Sequence, residues 1–381
     1  MKYWLSFLIF LIAFSAEAQD SALRLADSLY STGNYKAAIK LYKTTENQSA
    51  KVQQKIAQAQ EARGNLSEAI AHYQSALSQN NNLLIAASRY GKALYRNGNH
   101  KKADSLFTNL LKRFPKNPDF YYQRGLAKEQ LNDSLAVTDF YKSLRQDENH
   151  QKALYKVTLF RFKEKDYLQV DSLGSHALKT YPENKKMWSL LAQNAYAQRN
   201  YKRAVTRFEQ LIDLGYASEF VYEKLGYSYY QLNSFANAIK SFNKVIQLNQ
   251  ENAKVHLQLG KLYNLTGDYK KAEKHLLYAL LLTKIPLDEH YQSLGITYKM
   301  KKDYKKALHY FSLALEENPK KIRAQYELAI AADNYYKDLQ TRLNYYTNFI
   351  DKFDGTTQAE PYIILAKRRA QDLKEEIHFD R

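Results

Sequence analysis

Short stretches of this chain return at an almost fixed interval, and that interval limits its possible folds more than any other feature. One copy reads Tyr291-x-x-Leu294-Gly295-x-x-Tyr298, followed by Ala307-x-x-x-Phe311 and Pro319. Another reads Tyr222-x-x-Leu225-Gly226-x-x-Tyr229, followed by Ala238-x-x-x-Phe242. The aligned alanines Ala204, Ala238, Ala272 and Ala307 stand 34, 34 and 35 residues apart. Units of this length bury their apolar faces by stacking on one another, so the length of the chain sets a number of units rather than a number of globular domains.

Each unit calls for two closely crossing helices, with small residues at the crossing and large ones filling the space around it. On the first helix the small position falls at Ala26, Ala57, Gly91, Gly125, Ala192, Gly226, Gly260 and Gly295. On the second it falls at Ala38, Ala69, Ala103, Ala204, Ala238, Ala272 and Ala307. One turn later on the same face comes a plug: Tyr42, Tyr73, Phe107, Tyr141, Phe208, Phe242, Leu276 and Phe311. Glycine inside a helix costs about 1 kcal/mol relative to alanine, so its return at one site implies a packing reason. Pro115, Pro182 and Pro319 fall where second helices should end, and Pro118 and Pro361 suit a first helical turn. The pairs Gly33-Asn34, Gly64-Asn65, Gly98-Asn99 and Gly267-Asp268 mark the turns between paired helices.

This period and pattern resemble the tetratricopeptide repeat, a helix–turn–helix unit with Leu/Gly/Tyr, Ala, Phe and Pro at the matching places. The resemblance runs over roughly residues 20 to 350. It implies an all-α, right-handed superhelical solenoid of antiparallel helix pairs, with about ten pairs over residues 19–353. Two stretches depart from the pattern, 118–182 and 322–353. Val137 stands where alanine is expected, with Ser134 in place of an aromatic; Val170 and Gly174 replace alanine and plug in the next unit, so a looser joint is expected over 151–182. The pair over 322–353 loses its second-helix signature at Thr341. After Gly355 an amphipathic capping helix is expected within 354–381. It should turn Tyr362, Leu365, Ala366, Leu373 and Ile377 inward and Lys367, Arg368, Arg369, Lys374 and Glu375 outward.

Residues 1–18 have the form of a signal peptide: Lys2, an apolar run from Trp4 to Phe14 broken by Ser6, and Ala16-Glu17-Ala18 as a small-x-small cleavage site. The run is shorter than the about 20 residues of an ordinary span, so no stable membrane insertion is expected after cleavage; an uncleaved anchor is the other reading. An Ala-Gln-Asp start after a short leader resembles exported proteins of Bacteroidota, which implies a periplasmic location. The repeated Asp-Ser-Leu/Ala sites, such as Asp27-Ser28 and Asp104-Ser105, resemble O-glycosylation acceptors of such proteins; ordinary helix-start and surface residues are the alternative. The formal charge is +18, unchanged by loss of the leader because Lys2 and Glu17 leave together. Such a field favours acidic partners, although any single lysine serves solubility as readily.

In the repeat family the first helices line the binding groove. Indexed from the small position, that stripe is expected to take Tyr30, Lys92, Tyr95, Arg96, Tyr122, Tyr155 and Phe162, then Tyr196, Tyr227, Tyr230, Lys261 and Lys299, with Leu126, Leu159, Leu257, Leu265 and Ile296 between them. Tyrosine gives large contact area at low entropic cost, which suits a peptide groove; packing against the neighbouring repeat is the competing role for each ring. Some members grip a peptide carboxylate with a fixed Lys/Asn/Asn/Lys/Arg set, and asparagines are not expected on the stripe here. Nine histidines and no cysteine offer no metal-ligand spacing, and Gly226-x-Ser228-x-Tyr230 lacks the second glycine of a nucleophile elbow. The expectation is a non-enzymatic scaffold without cofactor or metal, binding a protein or peptide. The alternative is a binder of anionic polymer; for nucleic acid, the stripe is too varied to form a base-reading code.

Overall fold

The computed structural model describes residues 21–45, 48–284 and 286–379, so the expected leader lies outside the described residues. The chain divides into two compact units, the first ending at Met187 and the second beginning at Trp188. All regular structure among the described residues is helical.

In the first unit the helices are α1 (21–31), α2 (Tyr35–Thr44), α3 (Ala50–Ala62), α4 (Leu66–Gln79), α5 (Leu84–Arg96), α6 (His100–Arg113), α7 (Pro118–Gln130), α8 (Ala136–Gln146), α9 (Gln151–Lys163) and α10 (Tyr167–Thr180). Helix α11 (Lys185–Ala197) runs across the division. The second unit continues with α12 (Tyr201–Asp213), α13 (Glu219–Gln231), α14 (Phe235–Leu248), α15 (Ala253–Thr266), α16 (Tyr269–Leu282), α17 (Asp288–Met300), α18 (Tyr304–Glu317), α19 (Ile322–Tyr335) and α20 (Leu339–Phe353), then a 3-10 turn (Thr357–Ala359) and α21 (Glu360–Phe379). Within each unit a first helix packs on the second helix that follows it, as in α3 on α4 and α15 on α16, and successive first helices touch, as in α15 on α17.

The local chemistry explains the boundaries. Asn34, Asp166, Asn200, Asp268 and Asp303 precede second helices, and each side chain accepts the N–H of the residue three ahead. In nine helix pairs the turn carries one left-handed residue, at Gly33, Gly64, Gly98, Asn132, Lys165, Arg199, Asn233, Gly267 and Lys302, whereas the α19–α20 turn carries none. That residue lies seven after the small position of the first helix, which fixes the register independently of the alanines.

The helix crossings are filled as the size pattern requires. Ala38, Ala69, Ala103, Ala204, Ala238, Ala272 and Ala307 have no exposed surface. A Cβ placed on Gly91 would lie 2.5 Å from the Phe107 ring, and one on Gly226 would lie 2.8 Å from Phe242. No side chain fits where those rings sit, which is the packing reason for glycine.

Three sequence expectations need correction. In the α7–α8 pair the small position is Ala136 and the plug is Phe140, both buried, not Val137 and Tyr141. The left-handed Asn132 sits four residues before Ala136, where the other turns leave five, so one residue is missing and a fixed 34-residue step overshoots. Tyr141 is instead half-buried, and its hydroxyl accepts the Nε–H of Arg161 at 2.7 Å. In α9–α10 the left-handed Lys165 points back to Thr158 as the small position; Thr158 and Val170 have no exposed surface and Gly174 is buried. On α21 the buried residues are Ile363, Ala366, Ala370 and Leu373, with Tyr362 and Ile377 packed against the same core as expected, whereas Leu365 is exposed. Arg369 turns inward, donating from Nε to Asp333 Oδ2 at 2.8 Å, so that this buried carboxylate is shared between Arg369 and Arg342, whose Nε lies 2.7 Å from Oδ1.

Candidate functional site

Two sets of side chains make up the first-helix face, and each answers to a different neighbour. The first set is aromatic. Tyr30, Tyr95, Phe162, Tyr196 and Tyr230 stand four residues after the small position and are half-buried. Each packs on the ring five residues later, across its own turn: Tyr30 on Tyr35, Tyr95 on His100, Phe162 on Tyr167, Tyr196 on Tyr201 and Tyr230 on Phe235, with centroids 5.3 to 6.5 Å apart. Tyr122 packs on Phe140 and His150, and burial pushes its hydroxyl up to about 12. Tyr227 meets the plug Phe242 edge-on at 5.2 Å, with the Lys254 ammonium 5.3 Å above its ring. Tyr155 is half-buried. These rings therefore stiffen the turns and crossings while showing one edge to the surface. Leu257 is different: it is buried with Leu276 and Leu294 in the core and offers nothing to a ligand.

The second set is charged, and it forms a ladder between successive first helices. Lys92 pairs with Asp119 at 2.8 Å, Lys261 with Glu289 at 2.7 Å, and Lys299 with Glu327. Arg96 and Arg89 share Glu61 at 3.1 and 3.3 Å, Lys55 holds Asp27 at 2.6 Å, and Lys156 holds Glu129. Lys254 pairs with Glu223 at 3.0 Å. The Lys261 hydrogen bond holds the Glu289 carboxyl below its ordinary range. The carboxylate partners were missed in the sequence, but a signal was there. Opposite charges stand 27 or 28 residues apart at Asp27/Lys55, Glu61/Arg89, Lys92/Asp119, Glu129/Lys156, Lys261/Glu289 and Lys299/Glu327. That spacing carries a residue late in one first helix to one early in the next.

Asn264 was also missed. It is on the stripe, four after Gly260, with its Nδ2 donating to Ser293 O at 3.2 Å and its Oδ1 accepting from Thr297 Oγ1 at 3.0 Å. It lines a cavity of about 270 Å³ in the second unit with Tyr230, Lys261, Leu265, Gln292, Ser293, Ile296 and Arg323. The structure thus brings Tyr230, Lys261, Leu265 and Ile296 to one place. The Oε1 end of the Gln292 amide is buried there without a hydrogen-bond partner.

The geometry agrees with comparisons to known proteins. Models described as tetratricopeptide repeat match residues 23–83, 60–129, 253–284 and 289–321, and one described as TPR repeat matches 226–267; together they take in a little over half of the chain. The chain belongs to the tetratricopeptide repeat family. Among solved structures, the C-terminal part of a TPR repeat-containing protein from Cytophaga hutchinsonii is similar, with TM-score 0.52 and 19% identity, over 63% of this chain and 99% of that one. A tetratricopeptide repeat protein from Parabacteroides merdae aligns with TM-score 0.45 and 17% identity, over 75% and 99% of the two chains. YrrB, described as a TPR protein with an unusual peptide-binding site, aligns with TM-score 0.46 and 16% identity, over 49% and 95%. No curated protein matches the sequence. For this tetratricopeptide repeat protein, no group of three or more His, Asp or Glu side chains among the described residues is placed to hold a metal ion. No described helix is long and apolar enough to cross a membrane.

Proposed function

We propose that the protein is a non-enzymatic scaffold that holds a protein or peptide partner against its first-helix face, exported to the periplasm and working within a cell-envelope complex. One observation carries the binding reading: the cavity between α13, α15, α17 and α19, where apolar surface from Tyr230, Leu265 and Ile296 lies beside the polar side chains of Lys261 and Arg323. A peptide segment laid across the cavity would place an apolar side chain against Leu265 and Ile296 and its polar backbone beside Lys261 and Arg323 at the cavity wall. Repeat arrays present continuous surfaces of this kind, and their chemistry is recognition by shape and hydrogen bonding. Export rests on the leader-like residues 1–18 alone. Binding of an anionic polymer by this face is disfavoured by the ion-pair ladder, since Lys92, Lys261 and Lys299 already face carboxylates.

The test is photo-crosslinking from position 296 in the native cell, followed by identification of the trapped chain. Leu265→Ser, at an exposed position of the cavity wall, should abolish the cross-link while leaving the thermal unfolding curve of the protein close to that of the parent. A cross-link that survives Leu265→Ser would move the binding site elsewhere.

A further inference from the structure

The outer face of α16 breaks a rule that its neighbours keep. Counted from the buried alanine of each second helix, Leu277, Tyr278 and Leu281 occupy the fifth, sixth and ninth positions. The aligned residues are Glu209, Gln210 and Asp213 on α12, Asn243, Lys244 and Gln247 on α14, and Ser312, Leu313 and Glu316 on α18. Leu277, Tyr278 and Leu281 are 40%, 47% and 80% exposed. The repeat architecture therefore does not require apolar residues there, and α16 alone among these helices places three of them in the open.

Charge around the three residues is one-sided. Lys274 and Lys270 stand on the same face, one and two turns before Leu277 and Tyr278, and Lys284 follows in the loop. None of these three lysines is in an ion pair among the described residues, in contrast with the lysines of the first-helix face. The two acids nearest in sequence are engaged: Asp268 with Lys271, and Glu273 with Lys301 and the Tyr298 hydroxyl. Lysine in the first turn of a helix also opposes the helix dipole, so Lys270 gains nothing from its own helix.

We propose that this face of α16 docks on an anionic lipid surface, with Leu277, Tyr278 and Leu281 entering the headgroup layer and Lys270, Lys274 and Lys284 facing lipid phosphates. A side chain that is 80% exposed stands proud of the surface, which suits a deformable interface better than a rigid protein pocket. Tyrosine beside leucine is the composition that settles at headgroup depth, and unpaired lysines beside it supply the attraction to negative lipid. Glu316, aligned with Leu281 on the next second helix, limits the attraction on that side. The inference is independent of the partner site on the first helices.

The experiment is co-sedimentation of the chain from Gln19 onward, which contains every described helix, with vesicles. One set contains equal parts phosphatidylglycerol and phosphatidylcholine, and the other phosphatidylcholine alone. Binding is expected to the first set only, and to fall with added salt. The triple variant Leu277→Ser, Tyr278→Ser, Leu281→Ser should bind roughly tenfold or more weakly. Each of Lys270→Gln, Lys274→Gln and Lys284→Gln should weaken binding roughly fivefold. Tyr278 also stacks on His256, so the unfolding curve is recorded alongside, and the double variant Leu277→Ser, Leu281→Ser, which leaves that stacking intact, should match the parent curve and still bind more weakly. Absence of parent binding to both vesicle sets overturns the proposal, as does binding by the folded triple variant at parental strength. A triple variant that loses a cross-linked protein while the parent ignores vesicles would make the face a protein interface instead.

Discussion

The crossing of α13 on α14 and the crossing of α9 on α10 bury the same two repeat positions with different side chains. In the first, Gly226 leaves room for Phe242, whose ring lies where any Cβ would be. In the second, the fully buried Thr158 takes the glycine position, and sixteen residues later Gly174 takes the place of the ring. The turn between each pair is the same, with a left-handed residue at Asn233 and at Lys165. What the repeat holds constant is the burial of both positions; the side chains there are smaller in the second pair, since threonine with glycine takes less space than glycine with phenylalanine. The family models match residues 226–267, which contain the first crossing, and the matched stretches do not reach 130–225, which contain the second.

The largest expected effect tests the aromatic side of this comparison. Phe242→Ala should cost about 3–5 kcal/mol, because the vacated space is walled by rigid helices. Gly174→Ala, at the aligned position, should change stability by less than about 1 kcal/mol. Urea unfolding followed by tryptophan-independent circular dichroism, with hydrogen exchange to localise the loss, would separate the two. Similar losses at both positions would mean that the two crossings do not differ in this way.

A smaller effect sharpens the same point. Gly174→Phe alone should overpack α9–α10 and cost about 1–3 kcal/mol. Adding Thr158→Gly should return part of that loss, as the pair would then copy Gly226 and Phe242. The coupling between the two substitutions, read from a double-mutant cycle, is the decisive quantity. Zero coupling would leave Thr158 and Gly174 as unrelated departures from the pattern.

Next in size comes a pH effect confined to one repeat. The α15–α16 pair carries His256 and His275, with Nδ1 atoms 2.9 Å apart, where α13–α14 carries Tyr222 and Ser241. His256 Nε2 donates to Gln250 O at 3.0 Å, which leaves its Nδ1 to accept from His275 when both rings are neutral. Tyr278 stacks on His256 and Tyr263 on His275, while Lys271 and Lys274 raise the local positive potential. Burial, then the His256 ring and these lysines, lowers His275 from 6.5 to about 4. A folded-state value below the unfolded one favours the neutral ring. Its contribution is therefore complete above about pH 6.5 and is lost as pH falls towards 4. Discounted for the partial exposure of the ring, the loss should be on the order of 1–2 kcal/mol. Amide exchange in α15–α16 should speed up over that range more than in α13–α14, and His275→Gln should remove the difference.

Much of this was legible in the sequence because the crossing depends on residue size at fixed spacing. Gly226, Ala238 and Phe242 declare themselves in that way. Ala136 did not, because the turn after Asn132 is one residue short and a fixed step lands on Val137. His275 was counted only among nine histidines without metal-ligand spacing, since its partner lies 19 residues away on the other helix of the pair. The stripe on the first helices could be indexed, but what its residues touch depends on the next repeat. Lys261 looked like a free cation until α17 placed Glu289 beside it, and Asn264 lay at a stripe position yet was passed over. Arg369 was assigned to solvent because helical periodicity cannot register a buried Asp333 on another helix.

The smallest effect concerns what the two kinds of repeat have in common. The ladder on the first helices runs through both: Glu129 meets Lys156 between α7 and α9, and Lys261 meets Glu289 between α15 and α17. Lys156 and Glu129 are 21% and 38% exposed, Lys261 and Glu289 34% and 56%, so solvent screens both pairs. Lys156→Gln and Lys261→Gln should each cost less than about 1 kcal/mol, with the cost shrinking further as salt is added. Packing would then account for the α9–α10 crossing as it does for α13–α14, and charge would only align neighbouring first helices. If Lys156→Gln instead unfolded α9–α10 while Lys261→Gln left α15–α16 intact, the irregular repeat would be held by its ion pair. Thr158 and Gly174 would then be tolerated rather than complementary, and the comparison between the two crossings would fail at its centre.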